Sequence, residues 1–382
     1  MSKIDDLIAK YCPNGVEMDT IGNLCKINRG RVMSKDYLAA NQGDYPVYSS
    51  QTANEGMLGK IKTYDYDGEY LTWTTDGAYA GSVFYRKGKF SITNICGLLD
   101  LQSDKLLIKF LYYYLGNVTK NYVNAGMGNP KLMSNVMERI KVAIPPLAVQ
   151  EEIVNILDSF TLLEAELEAE LEARKKQYEH YRDELLNSEN MKGEVNVVKL
   201  GEVATLVNGR AYKQEELLSS GKYKVLRVGN FFSSDKWYFS DLELDDDKYC
   251  YSGDLLYAWS ASFGARIWDG EKTIFHYHIW NIKPSDKVNK KYLMYWLNSM
   301  TQNLKNDSSH GATMMHITKQ NMEQTSIPIP SVAEQERIVS ILDKFDALVN
   351  DMSDGLPAEI NARRQQYEYY RDKLLNFEPM AA

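Results

Sequence analysis

One block of the chain occurs twice, and that duplication limits the possible architectures more than any other feature. Ile153-Val154-Asn155-Ile156-Leu157-Asp158-Ser159-Phe160 returns as Ile338-Val339-Ser340-Ile341-Leu342-Asp343-Lys344-Phe345, 185 residues on. Residues 174–187, RKKQYEHYRDELLN, return as 363–376, RRQQYEYYRDKLLN, 189 residues on, so the second copy holds four extra residues between the blocks. Upstream, Ile144-Pro145-Pro146 matches Ile329-Pro330-Ser331, and Gly126 matches Gly311. At the start of each copy Ile21-Gly22-Asn23-Leu24 with Gly30-Arg31 parallels Leu200-Gly201-Glu202-Val203 with Gly209-Arg210. Between these anchors the copies diverge. The layout is variable module, shared helix, variable module, shared helix.

The shared segments carry helical spacing. In the first, apolar or long side chains fall three or four apart at Ile153, Leu157, Phe160, Leu163, Leu167, Leu171, Arg174, Tyr178, Tyr181 and Leu185, as along one packed seam. A solvated charged helix would explain the Glu-rich run 164–172 but not the seam. The second segment opens on Ser331 and Glu334, the spacing of a capping box. It keeps the seam through Ile338, Leu342, Phe345, Val349, Met352, Leu356, Ile360, Arg363, Tyr367, Tyr370 and Leu374. Gly355 and Pro357 interrupt it. Proline removes a helix hydrogen bond and clashes with the previous turn, so a break is expected near 353–357, with Pro357 in the first turn of the restart. If the helices pack together, connectivity makes them antiparallel, and residues 148–186 would span roughly 55–60 Å at 1.5 Å per residue. Arg174 and Arg363, at seam positions, are expected to lay their stems over the opposite helix.

The modules look mixed α and β. Tyr45-Pro46-Val47-Tyr48, Tyr70-Leu71-Thr72-Trp73, Lys224-Val225-Leu226-Arg227-Val228 and Leu255-Leu256-Tyr257-Ala258-Trp259 read as short strands between Gly, Asp and Asn signals. Late in each module, residues 110–115 and 292–297 suggest a short helix. The expected fold class is α+β: two mixed α/β modules, 1–145 and 189–330, separated by two long antiparallel helices, 146–188 and 331–377, in a pseudo-twofold internal repeat with a 378–382 tail.

The net charge of −8 is unevenly distributed. Residues 1–142 balance at +3 and 191–330 at +1, whereas 143–190 stand at −8 and 331–382 at −4. The acidity belongs to the helices. Nearly neutral modules can face phosphates with a basic side but hold a polyanion weakly alone, because counterion release scales with the phosphates neutralised. With 44% hydrophobic and 12% aromatic residues the modules can build real cores. Cys12, Cys25, Cys96 and Cys250 form no CxxC pair, which argues against a zinc ribbon or disulfide scaffold and fits a reducing cytoplasm. The N-terminal stretch lacks the apolar run of a signal peptide, and no window approaches a membrane span, so a soluble protein with no membrane association is expected.

Catalytic motifs are missing: there is no NPPY-like or DPPY-like methyltransferase motif, no GxxxxGKS loop and no HExxH site. Gly77-Ala78-Tyr79-Ala80-Gly81 reads as a turn rather than a cofactor loop. His276 and His278, two apart in FHYHIW, would share one face of a strand. No third ligand is signalled nearby, which favours base or phosphate contact, or packing, over a metal pair.

The two blocks IPP-LAVQEEIVNILDSF and IPIPSVAEQERIVSILDKF, the helix ends QYEHYRDELLN and QYEYYRDKLLN, and the opening IDDLIAKYCPNGVE together resemble the specificity subunits of type I restriction-modification systems. The resemblance covers nearly the whole chain, strongly in the helical repeats and weakly in the modules. It implies a non-catalytic subunit whose two modules are target-recognition domains, each reading half of a split, asymmetric site in double-stranded DNA, with helices that set the gap. It further implies two adenine methyltransferase partners that carry S-adenosylmethionine, and restriction subunits, where present, that use ATP and Mg. The interrupted second helix departs from a symmetric rod.

Bases are read by side chains reaching the groove edges and phosphates by basic and hydroxyl groups. The candidates in loops beside the strand signals are Arg29, Arg31, Ser49, Ser50, Gln51, Thr74, Thr75, Asp76 and Lys131 in the first module. In the second they are Arg210, Tyr212, Lys213, Arg227, Asn230, Ser260, Ser262, His276, His278 and His310. A freestanding DNA-binding regulator or antagonist of a restriction system, or an enzyme with an unrecognised nuclease, are the competing classes; the paired helix repeats favour the multisubunit reading.

Overall fold

The computed structural model describes residues 3–124, 126, 128–308 and 317–380. Contacts divide the chain into two compact units, Met1–Glu168 with Ile360–Ala382, and Ala169–Glu359. The cut falls inside helices rather than between module and helix, because each helix half docks on the core nearest to it.

In the first unit a six-stranded sheet runs in the order Cys25–Arg29, Cys96–Leu101, Tyr66–Thr74, Val83–Ile92, Gln42–Tyr48, Met57–Ile61. All pairs are antiparallel except Gln42–Tyr48 with Val83–Ile92. Trp73 lies across from Gly97 on the neighbouring strand, and a Cβ there would sit 2.2 Å from the indole, so glycine makes room for the largest side chain of this core. Helix α1 (Ile108–Val118) buries Phe110, Leu111, Tyr113, Tyr114 and Leu115, and the start of the 40-residue helix α2 (Leu147–Leu186) adds Val149, Ile153 and Leu157.

The second unit holds two four-stranded sheets. One runs Ala204–Asn208, Ile279–Pro284, Leu255–Ser260, Ser262–Ile267; the other Tyr238–Ser240, Tyr223–Leu226, Thr273–Phe275, Tyr249–Cys250. The strand expected over 224–228 stops at Leu226, and Val228–Phe232 is a short helix. Helix α3 (Lys290–Ser308) takes the place of α1.

The repeat extends to individual hydrogen bonds. Buried Gln150 accepts from Leu107 N–H at 2.8 Å and donates to the carbonyls of Lys105 and Pro145; buried Gln335 accepts from Asn289 N–H at 2.7 Å and donates to Lys287 and Pro330. Asp158 receives Lys109 Nζ at 2.5 Å and Tyr113 OH at 2.7 Å, and Asp343 receives Lys291 Nζ at 2.6 Å and Tyr295 OH at 2.7 Å. Each long helix is thereby fixed to its module at the same two heights.

The second shared segment is two helices, α4 (Val332–Asn350) and α5 (Leu356–Leu375). Between them Asp351 Oδ1 accepts from Ser353 N–H at 2.7 Å, and Gly355 passes so near α4 that a Cβ would lie 2.5 Å from Ala347 O. Ser331 caps α4 by accepting from Glu334 N–H at 3.3 Å, but the expected reciprocal box is absent. The Glu334 carboxylate instead accepts from Lys192 N–H at 3.0 Å and pairs with Arg337, which holds its pKa below the ordinary value.

Within each unit two helix segments run antiparallel. In the first, Phe160 faces Tyr367 and stacks on Tyr370 at 5.6 Å, while Leu374 joins the core that holds Ile153 and Leu157. In the second, Phe345 faces Tyr178 and stacks on Tyr181 at 5.5 Å, and Leu185 packs with Ile338 and Leu342. Burial along the seam is uneven: Ile153, Leu157, Ile338, Leu342, Val349, Ile360 and Leu374 are buried, whereas Leu167 is half-buried and Tyr181 and Tyr370 are 39% and 36% exposed, since two bare helices cover only one face of each other. Arg174 bonds Glu170 and Gln177, and Arg363 bonds Gln366, on their own helices. At the edge of the first unit, Val16 N–H donates to Glu378 O at 2.9 Å and Met380 N–H to Val16 O at 2.9 Å.

Candidate nucleic-acid interface

In the first unit the strand Cys25–Arg29 leads into Gly30, whose backbone presses on the end of Val83–Ile92; a Cβ at Gly30 would lie 2.0 Å from Ile92 O. This approach allows Arg31 to bridge Thr93, with Asn94 N–H donating to Arg31 O at 3.1 Å and Thr93 N–H to Tyr48 O at 2.9 Å. The second unit repeats the corner. Gly209 presses on Phe275, Arg210 bridges His276, Tyr277 N–H donates to Arg210 O at 3.0 Å, and His276 N–H to Leu226 O at 2.9 Å. Gly30 with Gly209, Tyr48 with Leu226 and 93–95 with 276–278 are therefore structurally equivalent positions.

The side chains at the two corners differ. In the first unit Arg29 donates twice to Asn94 O, at 2.7 and 3.1 Å, and once to Thr75 Oγ1 at 3.3 Å, while its Nη1 is buried without a partner. Thr75 Oγ1 lies 2.7 Å from Asp76 Oδ2 and 2.8 Å from Ile95 O. Ser50 donates to Asp76 O at 2.8 Å, Lys131 Nζ stands 3.6 Å from Asp76 Oδ1, and Thr93 donates to Ser49 Oγ at 2.9 Å. The sheet thus gathers Arg29, Ser49, Ser50, Thr75, Asp76 and Lys131 from four stretches of sequence. Gln51 turns back to Met57 O, and Thr74 donates to Tyr79 O inside the Gly77–Gly81 turn. Ser49, Thr74 and Thr75 are buried and brace the corner, whereas Lys131 and Arg31 front it.

In the second unit Arg210 is held by Glu216 through two bonds of 2.8 and 2.9 Å, which with Lys213 N–H draws the Glu216 pKa down to about 2. Arg31 is engaged likewise by Asp65 at 3.1 Å, so both arginines of the repeated Gly-Arg pair carry carboxylate partners. Tyr212 stacks on His276 and has a buried, unpartnered hydroxyl; Ser260 is buried, while Lys213 and Ser262 are exposed. His276 and His278 do not lie on a strand: Thr273–Phe275 ends before them, and they occupy the turn into Ile279–Pro284 with rings 4.9 Å apart. Gly209 is the cause, since its close approach to Phe275 and His276 ends the strand and turns the chain. His310 lies outside the described residues.

Arg227, Asn230, His276 and His278 line one cavity of 280 Å³ together with Lys236 and Tyr238. Burial, then His278 and Arg227, push the His276 pKa down to about 4, so the ring is neutral at pH 7. His276 Nδ1 accepts from His278 N–H at 3.4 Å, which assigns the ring proton to Nε2. Trp259 supports the turn, donating from Nε1 to Tyr277 O at 3.0 Å and from its N–H to His278 O at 3.1 Å. Asn94, Lys236, Tyr238, Trp259 and Tyr277 were not among the sequence candidates; Asn94 and Tyr277 correspond only through the backbone bridges of Arg31 and Arg210, which the diverged sequences between the anchors do not reveal. Among the described residues no three His, Cys, Asp or Glu side chains cluster as metal ligands, and no helix is long and apolar enough to cross a membrane.

Comparison with known proteins agrees with this duplicated layout. The type I restriction modification DNA specificity domain matches twice, over residues 13–173 and 192–362. A type I specificity subunit of Mycoplasma pneumoniae is 33% identical over 362 residues, covering 94% of this chain and 96% of that protein. The crystal structure of the type I restriction-modification S subunit from M. genitalium superposes with a TM-score of 0.60 at 16% identity, over 95% of this chain and 97% of that one. A chain solved for the complex assembly and conformational transition of the type I R-M system gives 0.62 at 15% identity, over 96% and 98%.

Proposed function

The chain belongs to the type I restriction-modification specificity subunits, and from that premise we propose that its two modules read the two halves of a bipartite, asymmetric DNA site. It is a non-catalytic DNA-recognition subunit. The observation that carries the finer reading is the repeated corner. One backbone arrangement, fixed by Gly30 and Gly209, presents Arg29, Asp76, Asn94 and Lys131 in one unit and Arg227, His276, Tyr277 and His278 in the other. Modules with different tips meet a duplex differently, base-edge contacts choosing the sequence and phosphate contacts fixing the register.

The long helices set the gap between the half-sites and dock two methyltransferase subunits. S-adenosylmethionine belongs to those partners, and ATP and Mg to restriction subunits where present; the complex works in the cytoplasm. With module balances of only +3 and +1, partners contribute part of the phosphate grip. The test is to map methylated adenines in cells carrying the chain with its methyltransferase, and again after exchanging residues 189–330 for another module. The expected motif is split and asymmetric, and the exchange should rewrite one half only. A continuous motif, or one changed in both halves, would sink the reading.

A further inference from the structure

The cavity beside His276 differs from its surroundings in charge. Its charged lining side chains, Arg227 and Lys236, are both cationic, and no carboxylate lines it. The arginines of the repeated Gly-Arg pair are neutralised, Arg31 by Asp65 and Arg210 by Glu216. Among the described residues neither Arg227 nor Lys236 forms an ion pair; each instead lies beside the Tyr238 ring, at 5.1 and 5.5 Å from its centroid. Asn230 donates to Ser234 O and Lys236 O, fixing the loop that carries the lysine. The His276 ring turns its acceptor nitrogen toward His278 N–H, which makes Nε2–H its donor. Cationic and N–H donors converge here on a space that no carboxylate lines.

We propose that this cavity seats one backbone phosphate of the bound duplex, and that the seat belongs to the second module alone. The proposal rests on the DNA-recognition reading above and adds a ligand group to it. Base edges form the floor of a groove and are met by protruding side chains, whereas phosphates project from the duplex and suit a recess lined by donors. The first module has closed the same position: Ser49, which follows Tyr48 as Arg227 follows Leu226, is buried and bonded to Thr93, the counterpart of His276. One module therefore grips the backbone where the other is filled by a hydroxyl pair.

The experiment compares the full-length chain, assembled with its methyltransferase partner, as wild type, Arg227→Ala, Lys236→Ala and the charge-preserving Arg227→Lys, on duplexes selected from a random pool. Loss of a phosphate contact should weaken binding roughly tenfold on every selected duplex, lower the slope of log affinity against log salt by about 1, and leave the selected sequence unchanged. Arg227→Lys should restore most of the affinity, which separates lost charge from lost folding. Unchanged affinity, or relaxed choice at one base pair with the slope intact, overturns the proposal, the latter by making Arg227 a base reader. Inorganic phosphate titrated into the chain alone, followed by NMR of the His276 and His278 rings, supplies an independent arm. If wild type binds no duplex, the DNA-recognition reading fails by itself. Ring shifts lost in Arg227→Ala would then still support a phosphate seat, and no shifts would remove it.

Discussion

His276 links the corner of the second unit to pH. Its folded pKa, about 4, lies below the ordinary 6.5, so between these values the unfolded chain binds more protons than the folded one. Stability of the second unit is therefore full above about pH 6.5 and declines as pH falls toward 4. Melting temperatures at pH 5 and pH 7 should differ more for wild type than for His276→Gln; equal differences would remove the effect. In the first unit Gln150 satisfies three backbone groups with one buried amide. Gln150→Leu strands them and should cost at least about 1–3 kcal/mol, read as faster hydrogen exchange at the Leu107 amide. A Gln recurring five residues past the Pro145 and Pro330 positions was visible in the sequence, but its role was not, because two of its three partners lie more than forty residues upstream. The corner was hidden for the same reason: Arg29 and Asn94 meet across 65 residues, and no local pattern announces that.

The helices were the most legible elements, since a repeated seam at three- and four-residue spacing leaves little choice of structure. The Gly355 and Pro357 signals marked the turn between α4 and α5, and the antiparallel direction followed from connectivity. Burial was less legible. The spacing is alike along the whole seam, yet the pattern does not say which positions are fully covered, and Tyr181 and Tyr370 remain more than a third exposed. A strand limit failed where a glycine brought two backbones together, Gly209 at Phe275, and the strand expected over 224–228 stopped at Leu226. The Glu-rich stretch of α2 is the place to test the ruler. Arg364 pairs there with Glu164 and Glu168, so four residues inserted after Glu168 leave both pairs intact. The insertion adds about 6 Å of helix against about 3.4 Å per base pair along one strand. Methylation mapping should show the gap longer by one to two base pairs with both half-sites retained. An unchanged gap with altered half-sites would refute the ruler.

At the scale of the molecule, the repeat makes half of it nearly self-sufficient. A fragment of residues 1–188 lacks Tyr367, Tyr370 and Leu374, which complete the first unit, but ends in the matching Tyr178, Tyr181 and Leu185. A second copy related by a twofold axis can lend that helix end, so the fragment should dimerise and, with the methyltransferase, modify a palindrome of the first half-site. A monomer by light scattering, or methylation still confined to the original asymmetric site, would show that the two helix ends are not interchangeable. The bonds between Val16 and Glu378–Met380 bear on the order of folding during synthesis. The unit built on residues 169–359 is continuous, and once those residues have left the ribosome it has everything it needs. The unit that begins the chain must wait, its α1 and α2 surfaces uncovered, until residues 360–380 are made. Domains usually fold in the order of translation; here the module made first is completed last.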